Sequence, residues 1–188
     1  VIGFKTLGLP YQNTATGRTY AALGAVEKVA KDKGFEIAEC YTKGGNVDVK
    51  TAGETVKTCF RELVKKADAI YVTNQIGVNR ENIPELADIA NSHRVPTFCQ
   101  AGMEGVKQGL LMTVALADFK YLGEFEAMTA AKIMNGAAPG ELTLYADVPY
   151  KWGFNFETAE KLRLNLSEID LERDYIHLSD FFFDASEK

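Results

Sequence analysis

"ADAIYVTNQIGVNRENIPELADIANSHRVPTFCQAG", residues 67–102, decides the fold. Ala69-Ile70-Tyr71-Val72 is a short, continuous apolar run, as expected of a strand buried on both faces. Polar Thr73-Asn74-Gln75 ends it. A helix is expected over 81–94, with Pro84 in its first turn, where a missing N–H costs nothing. A second apolar run, Val95 to Cys99, reads as another strand and stops on Gln100-Ala101-Gly102. Strand, helix and strand at this spacing form a unit whose crossover makes the two strands parallel.

The same alternation extends towards the N-terminus. "VIGFKT" (1–6) reads as a strand and "LGLPYQNTATG" (7–17) as a loop broken by Gly8, Pro10 and Gly17. Arg18 to Lys33 has a helical pattern, with Ala22, Ala25, Val26 and Val29 on one face, and Gly34 closes it as a left-handed cap does. "FEIAECYT" (35–42) is a strand and "KGGNVDV" (43–49) a loop. A helix over 51–66 carries Val56, Cys59, Phe60 and Leu63 at helical spacing. On the C-terminal side, "LLMTVAL" (110–116) is short and apolar. "YLGEFEAMTAAKIMNG" (121–136) is a helix stopped by Asn135-Gly136, "ELTLYADV" (141–148) a strand and "ETAEKLRL" (157–164) a short helix. The end, 167–188, is an acidic, aromatic-rich tail.

The expected fold class is therefore α/β, a mostly parallel open sheet with helices on both faces. Such sheets bind ligands beyond the carboxyl ends of their strands. Those ends carry Lys5-Thr6 with the loop to Arg18, Tyr41 to Asn46, Thr73-Asn74-Gln75, and Gln100-Ala101-Gly102. Tyr11, Asn13, Thr14, Thr73, Asn74, Gln75 and Gln100, with Arg18 and Tyr20 at a helix start, form an inventory for holding a small polar molecule against an aromatic wall. Taken singly, each also suits an ordinary loop, because Asn, Thr and Gly favour turns.

Composition narrows the function. The chain has 188 residues, 46% hydrophobic and 25% charged, enough for one sizeable core. Its net charge is -5 and its Lys and Arg are scattered, which argues against a nucleic-acid partner. No apolar stretch has the length of a membrane span. No G-x-G-x-x-G follows the first strand, and neither a P-loop nor a G-x-S-x-G elbow occurs. Asp68 precedes its strand instead of following it. Glu124 and Glu126 are two apart on a helix and so face different directions. His93 reads as a helix terminus on the surface, and His177 lies in the tail with no nucleophile near it. Cys40, Cys59 and Cys99 form no C-x-x-C and no zinc spacing; Cys99, in an apolar run, reads as a buried thiol. No cofactor is implied, and the rim offers no activated nucleophile or base, so an enzyme is not expected.

Two segments carry a family likeness. "ADAIYVTNQIGVNRENIPELADIANSHRVPTFCQAGMEGVKQGLLMTVALADFKYLGEFEAMTAAKIMNGAAPGEL" (67–142) resembles the second half of the ABC transporter substrate-binding protein family that includes tryptophan- and phenylalanine-binding members. "IGFKTLGLPYQNTATGRTYAALGAVEKVAKDKGFEI" (2–37) resembles the opening of that family's second lobe. The likeness runs to about Leu164 and rests on the order of several segments. It implies one lobe of a two-lobed type I periplasmic-binding fold, in a protein about twice this length. It also implies a signal peptide and delivery of solute to an ABC permease. The chain opens on "VIGFKT" without Met or signal, so it is expected to be a second lobe, 1–188. Within it, 103–135 would be a limb returning towards a first lobe, and 167–188 a tail.

Carried over by position, the family's two binding turns correspond to Thr73-Asn74-Gln75 and Gln100-Ala101-Gly102, with Tyr11 and Asn13 on a third edge. Members often hold an amino group with an acidic residue in these turns. This chain has none there, which favours a neutral or differently charged solute. The family implies a periplasmic or cell-surface location. There Cys40, ending a strand, and Cys59, on the next helix, could form a disulfide, which needs Cα atoms about 4.4–6.8 Å apart; three unbonded thiols are an equally simple expectation. A lobe missing its partner is expected to bind weakly and to self-associate, or to stay attached to its first lobe, through apolar residues of the limb. The other functional reading is a ligand-sensing regulatory domain of the same fold.

Overall fold

The computed structural model describes residues 3–100, 102–116, 119–146, 150–164 and 182–184. Among these residues, seven strands form one sheet in the order β2-β1-β3-β4-β5-β6-β7. They are β1 (Thr6–Gln12), β2 (Glu36–Thr42), β3 (Ala69–Val72), β4 (Thr97–Cys99), β5 (Met112–Leu116), β6 (Tyr150–Phe154) and β7 (Phe182–Asp184). Every pairing is parallel except β5 with β6. The helices are α1 (Ala15–Tyr20), α2 (Leu23–Lys33), α3 (Val49–Leu63), α4 (Ile83–Ser92), α5 (Met103–Lys107), α6 (Phe119–Met134) and α7 (Phe156–Lys161). No helix among the described residues is long and apolar enough to cross a membrane.

Strand alternation puts a core on each face. Ile70, Val72 and Cys99 point to one side, where Val56, Phe60 and Leu63 of α3 and Leu86 and Ala90 of α4 bury against them. Leu9 and Tyr11 point to the other, under Ala21 and Leu23. Helices thus cover both faces, as the βαβ rhythm of 67–102 requires.

The first strand differs from the sequence reading. It runs through 6–12, most of which was expected to be loop, and residues 3–5 carry no strand. Alternating Leu7, Leu9 and Tyr11 are all buried, and this outweighs the breaking tendency of Gly8 and Pro10. Its start is held by Asp68, whose Oδ2 accepts the backbone N–H of Lys5 and of Thr6, both at 2.9 Å. The helix expected over 18–33 is two helices, because Ala22 adopts a left-handed φ of 51° and lets Ala21 and Leu23 both turn inward. Leu23 and Ala30 are the buried residues of the second helix; of the expected face, Val26 packs on the core and Ala22 is half-buried, whereas Ala25 is exposed and Val29 is 48% exposed. "ELTLYADV" holds no strand at 141–146; a 3-10 turn spans Pro139–Glu141, and the next strand is β6. His93 is the exposed C-cap of α4. His177 and the tail, apart from β7, lie outside the described residues.

The segment 103–116 packs into the lobe: Val106, Leu110 and Leu111 are fully buried. The chain leaves the sheet only past Leu116 and rejoins it at Tyr150, the register partner of Leu116. Between these points α6 exposes Met128, Ile133 and Met134, and Leu144 and Tyr145 lie almost fully in solvent.

Cys40 on β2 and Cys59 on α3 are disulfide-bonded, with Cα atoms 5.6 Å apart, while Cys99 is buried outside the bond. Alkylation of the unreduced, denatured chain is therefore expected to label one thiol of three. The bond spans 19 residues, so reduction is expected to cost about 3 kcal/mol of stability by loop-closure entropy. Three labelled thiols would remove the cross-link.

The two N–H donors on Asp68 hold its carboxyl below the usual carboxylate range. A lowered folded-state value stabilises above the unfolded value of about 3.9 and is lost as pH falls through the folded one. Urea midpoints of Asp68→Asn should lie below those of the parent at pH 7 and converge with them in strong acid. A constant offset at all pH values would show that the charge is irrelevant.

Candidate functional site at the seam between β1 and β3

Strand order reverses at β1: β2 lies on one side of it and β3 on the other. The connection from β1 leaves over one face and α3 returns over the opposite face, so a crevice opens where they part. The ladder between β1 and β3 covers only Leu7 with Ala69 and Gly8 with Ile70. Beyond it, side chains replace backbone. The Thr73 hydroxyl donates to the Pro10 carbonyl at 2.6 Å. Gln75 Nε2 donates to the same carbonyl at 3.0 Å and to Thr73 Oγ1 at 2.9 Å. The Thr42 hydroxyl, from β2, donates to Gln75 Oε1. Proline has no N–H, so its carbonyl is the only backbone group there to satisfy.

Above this clamp lies an open cleft of about 610 Å³. Its walls include Tyr11, Gln12, Thr16, Tyr20, Asn74 and Ile76. Tyr20 is 60% and Ile76 43% exposed, so a flat apolar wall faces solvent beside amide groups. Tyr11 is buried, and its hydroxyl donates to Glu39 Oε1 at 3.1 Å; Tyr41 donates to Glu39 Oε2 at 2.7 Å. Burial and then the Glu39 carboxylate push the Tyr11 phenol far up, and the hydrogen bond to Glu39 raises Tyr41. Both hydroxyls therefore stay protonated and donating at neutral pH.

Of the residues expected at the rim, Tyr11, Thr73, Asn74 and Gln75 line the cleft. Thr73 and Gln75 serve the clamp, which leaves Asn74 as the amide of that turn presented outward. Gln100 sits beside them at the end of β4; its Oε1 accepts the Asn74 N–H at 2.8 Å and its own N–H donates to Val72 at 2.9 Å. It steadies the turn that carries Asn74. Asn13 and Thr14 are occupied locally: Asn13 Oδ1 accepts from Arg18 Nε at 3.0 Å and Nη2 at 2.8 Å, and Thr14 caps α1 through the Gly17 N–H. Gly102 is the N-cap of α5, and Ala101 lies outside the described residues. Sequence reading missed Gln12, Thr16, Ile76 and Asn79 as lining residues. The alternation of Leu7, Leu9 and Tyr11 was the available signal, since it would have put the strand end at Gln12.

The cleft offers hydrogen bonds and stacking. Its walls carry no Ser, Cys, Lys or His beside a carboxylate. Among the described residues no group of three His, Cys, Asp or Glu could hold a metal ion.

The fold is a mostly parallel α/β sheet with a polar rim at its switch point, where such sheets bind ligands. Residues 19–173 match the model of the ABC transporter substrate binding protein family, and the chain belongs to that family. Three solved structures share the fold. A conserved domain protein from Vibrio cholerae has a TM-score of 0.67 at 22% identity, covering 91% of this chain and 54% of that one. The ligand-free, open form of a substrate binding protein with adhesive properties from Clostridium difficile has 0.68 at 19%, covering 96% and 55%. An ABC domain from Streptococcus pneumonia in complex with L-Trp has 0.63 at 20%, covering 89% and 54%. The chain thus spans about half the length of these structures, and at such identities the likeness is one of fold. No curated protein matches the chain.

Two glycines shape the cleft by contact with Gln12. A Cβ on Gly17 would meet the Gln12 backbone carbonyl, whereas one on Gly44 would meet the end of the Gln12 side chain. Gly17→Ala is therefore expected to cost about 1–3 kcal/mol, as overpacking against backbone does. Gly44→Ala should cost about 0.5 kcal/mol or less, because the amide swings away. Urea denaturation checks both, and equal losses would show that Gln12 is fixed along its whole length.

Proposed function

We propose that this chain is the second lobe of a two-lobed solute-binding component of an ABC importer. In this reading it holds a small polar or aromatic molecule at the strand carboxyl ends, without catalysis, and passes it to an ABC permease from the periplasm or the cell surface. The observation that carries the reading is the cleft at the β1/β3 switch point, walled by an exposed aromatic ring and carboxamides and lacking a nucleophile–base pair. Family membership supports it. The segment past Leu116, with exposed Met128, Ile133, Met134, Leu144 and Tyr145, is what reaches a first lobe. The reading takes 103–135 as the limb, with Val106, Leu110 and Leu111 as its buried root.

A first lobe would complete the pocket by closing over the cleft. The test is a thermal-shift screen of amino acids, sugars and aromatic amides on the two-lobed protein, since a ligand of the native state raises Tm by mass action. At least one solute is expected to raise Tm, and Tyr20→Ala to abolish the shift. Light scattering on the 188-residue chain should find it self-associated through the limb. A concentration-independent monomer that binds solute as tightly as the two-lobed protein would end the second-lobe reading.

A further inference from the structure

The ionic groups of this lobe avoid the cleft. Its walls hold Gln12, Thr16, Asn74, Gln75 and Asn79 with Tyr11, Tyr20 and Ile76, and no Lys, Arg, His, Asp or Glu. Glu39 and Arg18, on the elements that flank the cleft, are hydrogen-bonded to neutral neighbours. Glu39 receives Tyr11 OH on one oxygen and Tyr41 OH on the other. Arg18 gives two N–H groups to Asn13 Oδ1. Charged side chains gather instead in a separate groove of about 850 Å³ between β2 and α3, which holds Glu39, Asp48, Glu54 and Glu62 with Lys43 and Lys50.

From this distribution we infer that the part of the solute seated in this cleft is uncharged, with a flat apolar face and an amide-like polar edge. The inference rests on the cleft being the solute site. A charged group settling on these walls loses water and gains no counter-ion, and that desolvation goes uncompensated. A carboxamide edge loses far less, because the exposed wall supplies donors and acceptors of its own kind. Asn79 is not one of them: its Oδ1 accepts the N–H of Glu81 and of Asn82, and its Nδ2 donates to the Ile76 carbonyl. Gln12, Thr16 and Asn74 remain as the polar edge, and Tyr20 with Ile76 as the flat wall.

Three near-isosteric probes separate charge from shape: benzamide, benzoate and benzamidinium. Their dissociation constants for the 188-residue chain and for the two-lobed protein are read by ligand-observed NMR titration, with Tyr20→Ala and Gln12→Ala as site controls. Tyr20 is exposed and α1 is capped by Thr14, so Tyr20→Ala keeps the fold. Benzamide is expected to bind at least about tenfold more tightly than either ion, and both variants to weaken it several-fold. Binding that both variants weaken, but in which benzoate or benzamidinium equals benzamide, overturns the uncharged class and leaves the site standing. Binding that neither variant changes, or binding of no probe to the two-lobed protein, overturns the site and the class together.

Discussion

The carbonyl of Pro10 is the point on which this lobe turns. β1 is a central strand, yet its ladder with β3 lasts for two residue pairs and then gives way to side chains. Proline removes the donor that would have continued the ladder, and Thr73 and Gln75 converge on the acceptor that is left. The seam is thereby held closed at one level and free to diverge above it. The cleft is the volume created by that divergence, and its floor is a set of satisfied hydrogen bonds. Thr42 extends the set across β1 to the edge strand, so three strands share one buried polar network.

That network explains why β2 is fastened from outside. An edge strand has only one ladder, here with β1 through seven residue pairs. The Cys40–Cys59 bond ties it to α3 two residues before Thr42. The hydroxyl that faces Gln75 is thus fixed by the ladder on one flank and by a covalent link on the other. Below the rim, the Glu39 carboxylate accepts two tyrosine hydroxyls, whose raised phenols cannot release their protons at neutral pH.

Much of this was legible in the sequence because the middle of the chain is periodic. The runs at 69–72 and 95–99 and the amphipathic helices beside them have no rival reading, and the expected α/β sheet followed from them. The N-terminal strand was misplaced because Gly8 and Pro10 are local breakers, and only burial of Leu7, Leu9 and Tyr11 by distant helices overrides them. The same error displaced the site: with the strand ending too early, Gln12 looked like loop and Asn13 and Thr14 looked like binders. Residue type alone could not separate Thr73 and Gln75, which hold the backbone, from Asn74, which faces the cleft. That distinction depends on where a proline carbonyl lies more than sixty residues away in the chain.

Because Leu116 and Tyr150 are register partners, the excursion between them begins and ends at one spot on the sheet. To the rest of the lobe it is a long hairpin. Its length and content do not enter the pairings of β1 with β2 and β3, of β3 with β4 and of β4 with β5, whose residues all lie within 6–116. Insertion or replacement there changes loop entropy only logarithmically. The excursion is accordingly an appendage: evolution can exchange whatever hangs from that pair of residues without rebuilding the cleft, whose walls lie within 11–79.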